Sequence, residues 1–210
     1  MQEKNKYEWK ETIWLFVFGC FLGYILETVF YVIKYGEYVS KQGLLYGPFK
    51  PIYGFGALLF TWIYYLVKKK TMIRFFLVGT LIGSVFEYVS SWIIEVIFHS
   101  YVWDYSDFRF NINGRIYLPY CLVWGLIALL WGVIIYPFLK KIYLKYKVKR
   151  HFKLVTILLS VYMIFNCLIT WTVLLKETMI DENSKFYKIV DKFYPKGVVN
   201  KKFPKFRSIE

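Results

Sequence analysis

Five apolar runs set what this chain can fold into. They cover residues 12–33, 51–67, 75–98, 116–139 and 154–175, and short charged segments separate them. A bilayer core takes about 20 apolar residues as a helix, with a working range of roughly 17–25. All five runs fall in that range, the second being the shortest. With 58% of 210 residues hydrophobic, the chain is far more apolar than an ordinary soluble domain. The expected fold is an all-α integral membrane protein with about five transmembrane helices. Along the chain this gives an N-terminus at 1–11, a four-helix membrane core at 12–139, a basic loop at 140–153, a fifth helix at 154–175 and a tail at 176–210. The first run reads as a retained helix. It is longer than a signal-peptide core, its flank mixes acids with lysines, and no small-residue cleavage site follows. Cys20, Cys121 and Cys167 lie inside apolar runs without C-x-x-C spacing, which suits small core residues.

The net charge of +14 is distributed as a membrane protein distributes it. The N-terminus, the 68–74 loop and the 140–153 loop hold fourteen Lys and Arg, and the intervening loops hold Lys34, Lys41, Lys50, Arg109 and Arg115. The excess of Lys and Arg marks the cytoplasmic side, so the N-terminus is expected inside the cell. Anionic lipid headgroups are the expected partner of the basic loops, and nucleic acid is not. The tail carries further lysines with acids interleaved. Phe186, Ile189, Val190, Phe193 and Tyr194 are spaced for a short amphipathic helix on the membrane surface, and a disordered basic tail is the other reading.

Inside the apolar runs one template occurs twice. "GCFLGYILE" spans Gly19 to Glu27 and "GTLIGSVFE" spans Gly79 to Glu87, each of the form G-x-x-x-G-x-x-x-E. Spacings of four stack on one helix face. Gly19 and Gly23, and likewise Gly79 and Gly83, let a neighbouring helix approach closely. Glu27 and Glu87 are costly in hydrocarbon and normally face a bundle interior with a partner or a task. The helices that follow also echo each other, as "GFGALL" and "GLIALL". Together these suggest a 2+2 parallel internal repeat, related by an axis along the membrane normal, plus a fifth helix.

Two loops carry the remaining candidates. In "GEYVSKQGLLYGPFKPIYGFG", Gly47, Pro48, Pro51, Tyr53 and Gly54 form a glycine–proline segment in which Pro51 suits the first turn of a helix. "LLYGPF" is too apolar for solvent and is expected to dip back into the protein. In "HSYVWDYSDFRFNINGRIYLPY", Trp103 and Tyr105 suit the membrane interface, and Asp104 and Arg115 supply charge. Asn113 reads as an N-cap of the fourth helix. Glu95 and His99 stand four apart on one face, the spacing of a proton relay or a weak metal pair. Glu27, Glu87, Glu95, Asp104, Asn113 and Arg115 are thus candidates to meet substrate or protons around a cavity on the outer side. No metal site and no cofactor are expected.

These loops resemble those of a known family. "GLLYGPFKPIYGFGALL" followed by "WDYSDFRFNINGRIYLPYCLVWG" is similar to the bacterial ABC-transporter type IV family, the CmpB-like permeases, over roughly residues 12–140. Gln42 stands where that family commonly has arginine and Arg109 where it commonly has proline, and the fifth helix and tail fall outside the resemblance. The resemblance implies a membrane transport component. The chain has no G-x-x-x-x-G-K-[ST] loop, so an ATPase would be a separate subunit. A chain this small is expected to work as a homodimer or with a partner. Two other readings use the same residues. One is an intramembrane enzyme on a lipid or lipid-linked substrate, with Glu27, Glu87 and Asp104 as acid–base groups. The other is a structural or regulatory subunit in which the acids only hold the bundle. The sequence favours a non-enzyme.

Overall fold

The computed structural model describes residues 8–67, 71–203 and 207–208. Helix α1 (Trp9–Tyr35) is followed by α2 (Pro51–Leu66), α3 (Met72–Phe98), α4 (Leu118–Leu130), α5 (Tyr136–Tyr146), α6 (Phe152–Met179), α7 (Lys185–Phe193) and α8 (Lys196–Lys202). A single π-helical turn, Trp131–Ile135, joins α4 to α5 without a break, so Leu118–Tyr146 is one continuous helix. Pro137 lies just beyond that turn. Proline has no N–H to donate and its ring crowds the carbonyl four residues back, and a widened turn absorbs both. The apolar run ends at 139 but the helix does not, and Lys140, Lys141 and Lys145 lie on its last turns. Among the described residues, four helices are long and apolar enough to cross a membrane: α1, α3, Leu118–Tyr146 and α6. The fifth apolar helix, α2, is shorter. The protein is an all-α membrane protein.

Helix α2 is short because its first residue is deep. The Lys50 amide donates to the Cys20 carbonyl at 3.0 Å. From Cys20, α1 runs on to Tyr35, roughly 22 Å further at 1.5 Å per residue. The segment after Gly36 therefore returns down the bundle before Pro51 opens α2 as its first helical residue. Leu44 and Leu45 are 1% exposed, so the expectation that this loop dips into the protein holds. A buried irregular backbone must have its polar groups satisfied. Helix α6 does this. Thr170 Oγ1 accepts from the Leu45 amide at 3.0 Å, and Asn166 accepts from the Tyr46 amide at 3.2 Å and donates to the Tyr46 carbonyl at 2.5 Å.

The opposite end of the bundle is fastened by charge. Glu11, 1% exposed, accepts from Tyr136 at 3.0 Å and pairs with Lys140. Glu8 accepts from Tyr143 at 2.6 Å and pairs with Lys147 at 2.7 Å. These bonds hold the start of α1 to the end of α5. The tail returns to the loop end. Lys176 is buried against Asp191 at 2.7 Å and the Tyr194 carbonyl at 2.9 Å, and Lys202 donates to the Leu45 carbonyl at 2.6 Å. Residues 185–193 form helix α7, capped by Ser184, with Phe186, Ile189 and Phe193 exposed.

Candidate functional site

The site is built from two helix hairpins that make the same contacts. In the first, Gly19 lies against α2, where a methyl group would come within 2.6 Å of the Ala57 Cβ, and Gly23 lies under the Tyr53 ring. Gly54 faces back toward Phe16 and Cys20. In the second, Gly79 lies against Ala128, and a methyl on Gly83 would come within 2.6 Å of the Trp124 Cβ. Gly125 faces Phe76 and Thr80. The α1 residues named here thus have their counterparts sixty positions on in α3, and the α2 residues named here seventy-one positions on in α4. Side chains this small at a crossing let two backbones approach closely.

The close approach places one aromatic donor on each acid. Tyr53 Oη donates to Glu27 Oε1 at 3.0 Å. Trp124 Nε1 donates to Glu87 Oε2 at 2.9 Å. The Tyr53 and Trp124 rings lie 6.3 Å apart, so one aromatic pair joins the two carboxylates through the bundle. The second oxygens are treated differently. Lys50, the residue before Pro51, forms an ion pair with Glu27 Oε2. Glu87 Oε1 instead accepts from the Tyr105 hydroxyl at 3.1 Å. Among the described residues no Lys, Arg or His pairs with Glu87, although it is only 5% exposed. The Tyr105 hydroxyl is pushed well above its ordinary range, first by burial, then by the Glu87 charge and bond, and more weakly by Glu27.

The other candidates do not join this pair. Glu95 pairs with Arg115, not with His99, whose backbone closes α3 in the left-handed region at φ 45°. Arg115 also lies 5.6 Å from the Tyr88 ring. Asp104 is exposed and accepts from the Ser106 hydroxyl at 2.6 Å and amide at 2.9 Å, which hold it below the usual carboxylate range. Trp103 donates to the Arg115 carbonyl at 3.1 Å. Asn113 is not the N-cap of α4, which is Tyr117. Asn113 and Gly114 have φ 51° and 64°, and the Arg115 amide bonds to the Ile112 carbonyl at 3.0 Å. That is a type I′ turn between the short strands Asn111–Ile112 and Ile116–Tyr117. Asn-Gly favours this turn because both central residues need positive φ, which an N-cap does not. In the first loop, Gly47 takes φ 77° beside Pro48.

Two residues of the site, and one at the opposite end of the bundle, carry roles that no motif in the sequence marks. Lys50 reads in the sequence only as a loop charge, and no signal there ties it to Glu27. Trp124 could have been found, since an aromatic residue precedes the glycine in both "YGFGALL" and "WGLIALL". Glu11 reads in the sequence as part of the N-terminal flank, because charged neighbours hide the start of α1.

The family model described as "Putative ABC-transporter type IV" matches residues 14–171. The match runs through most of α6, so the fifth long apolar segment, expected to lie outside the resemblance, belongs within it. Comparisons with curated proteins and with solved structures find no match.

Proposed function

The chain belongs to the ABC-transporter type IV family, and we propose that it is the membrane-embedded subunit of a transport system, in which Glu27 and Glu87 form one polar site for substrate or protons. The observation that carries this reading is the joined pair of acids. Two carboxylates sit on matched membrane helices, Glu87 buried and Glu27 half-buried, each held by an aromatic donor from the neighbouring helix. Carboxylates in a bilayer core are costly and mark pathways more often than packing. The start of α2 deep in the bundle supports the same reading, because a helix N-terminus inside the membrane is a transporter device for polar groups. The matched contacts of the two hairpins support an internal duplication, with the two acids beside the pseudo-axis.

In this account the basic end of the bundle faces the cytoplasm of a bacterial cell and the two loops face outward. Energy comes from a separate ATPase chain. The test is affinity purification of the tagged full chain from its native membrane, with mass spectrometry of what accompanies it. A chain bearing a phosphate-binding loop in stoichiometric amount is the expected result. Its absence, together with unchanged uptake profiles in a deletion strain, would remove the reading.

A further inference from the structure

We propose that Glu87 is the seat of an ammonium group carried by a small molecule or a lipid headgroup. The proposal rests on the transport reading for its biological use, but its evidence is a comparison within the molecule. Glu27 and Glu87 occupy matched positions on α1 and α3, over matched glycines and beneath matched aromatic donors. At Glu27 the remaining oxygen holds the ammonium of Lys50. The position that corresponds to Lys50 in the second hairpin, seventy-one residues on, is Cys121, a buried free cysteine in place of a lysine. The first half therefore contains its own cation, tethered to the chain. Among the described residues, the second half has the carboxylate without one.

The surroundings of Glu87 suit an organic cation better than a bare metal ion. Its two partners, the Tyr105 phenol and the Trp124 indole, turn their polar edges to the carboxylate, and the Tyr105 ring opens an aromatic series. The Tyr120 ring lies 5.3 Å from that of Tyr105, and Tyr117 continues the series toward the loop end at 5.6 Å from Tyr120. A carboxylate with tyrosine rings alongside it is a setting that an ammonium can occupy. A divalent metal needs several oxygen or nitrogen ligands. Among the described residues no three His, Cys, Asp or Glu side chains gather to supply them.

The proposal predicts a loss and a gain. Isothermal calorimetry on the purified full chain, in nanodiscs of phosphatidylglycerol alone, would use methylammonium and tetramethylammonium chloride as probes against sodium chloride. Wild type should bind one equivalent of an ammonium probe. Glu87→Gln should weaken binding by about tenfold or more, because an amide offers no charge, and Glu8→Gln, at the opposite end of the bundle, should leave it within about threefold. Lys50→Ala removes the tethered cation, so it should bind a second equivalent and gain more thermal stability on adding methylammonium than wild type gains. Competition by phosphatidylethanolamine added to the nanodiscs would assign the group to a lipid headgroup, and its failure to compete would assign it to a soluble amine. No saturable binding to wild type, or equal binding in Glu87→Gln, would overturn the proposal. A Glu87 carbonyl band that follows pH in infrared spectra and ignores both probes would overturn it in favour of a proton site. Binding of ammonium without transport would leave this inference standing and remove the transport reading instead.

Discussion

The hairpins α1–α2 and α3–α4 are alike where they cross and different where they meet the loops. At the crossings the same residue types fall in the same places: Phe, Gly, Gly and Glu on the first helix, and aromatic, Gly and Ala on the second. At the acids they diverge. The first loop descends to the level of Cys20 and delivers Lys50, whereas the second ends in a short hairpin and delivers the neutral Tyr105. Close packing leaves few solutions, because a side chain at any of these glycines collides with its neighbour. A loop has many ways to satisfy a carboxylate. The difference teaches that scaffold and chemistry are set by separate parts of the chain, and that the charge balance of the two acids is decided by what each loop brings.

The largest effects should come from the shared scaffold. Gly23→Ala and Gly83→Ala each force a methyl into an aromatic side chain, and each should cost about 1–3 kcal/mol of stability. Gly56→Ala is the internal control. A methyl there meets nothing closer than 3.9 Å, and the helix gains up to about 1 kcal/mol from alanine. Unfolding in detergent, followed by tryptophan fluorescence, would measure all three. Equal losses would break the argument that the two crossings are special.

The loop that carries Lys50 is the next test. Asn166→Ala removes the side chain that satisfies both the amide and the carbonyl of Tyr46. The carbonyl keeps the Tyr162 hydroxyl at 3.3 Å, and leaving the amide unpaired should cost about 1–2 kcal/mol. It should also speed hydrogen exchange at residues 44–50 without changing exchange at 111–117. Uniform exchange across both loops would mean that α6 does not hold the first one.

A smaller, paired comparison sharpens the charge difference. Tyr105→Phe should cost about 1–2 kcal/mol, because Glu87 loses one of two donors and has no cation to fall back on. Tyr53→Phe should cost less than about 1 kcal/mol, since Lys50 still holds Glu27. The reverse order would contradict the assignment of Glu87 as the uncompensated acid.

The smallest effect lies at the basic end. The bonds from Lys147 and then Tyr143 hold Glu8 below its ordinary range. A lowered folded value means that its contribution is present above the ordinary glutamate range and is lost as pH falls through it. Solvent screening limits this to about 0.5 kcal/mol or less. Glu8→Gln should therefore flatten the stability of the chain between roughly pH 5 and pH 3 relative to wild type.

The parts of this architecture that follow from local spacing were legible in the sequence. Gly19, Gly23 and Glu27 share a face whatever the rest of the chain does, and so do Gly79, Gly83 and Glu87. Pro51 marks the start of α2 by its missing N–H. What depends on a chain returning from far away was not legible. Lys50 reaches Glu27 only because α6 supplies Asn166 and Thr170 to a loop more than a hundred residues earlier, and polar residues inside an apolar run look like ordinary interior spacing. The end of Leu118–Tyr146 was hidden because apolar composition stops before the helix does, and Lys140 finds a buried partner in Glu11. Asn113 misled because asparagine serves both helix caps and type I′ turns, and the Gly114 that follows decides for the turn.

The most direct measurement is complementation of a deletion strain by the Glu27→Gln, Glu87→Gln double variant, with each single variant alongside and expression checked in the membrane fraction. Glutamine keeps the size of the side chain and can still accept a hydrogen bond, so packing alone would tolerate it. The expected result is normal expression with lost activity in Glu87→Gln and in the double variant, and a weaker defect in Glu27→Gln. Full activity in the double variant would show that both acids only hold the bundle together, and would contradict the account.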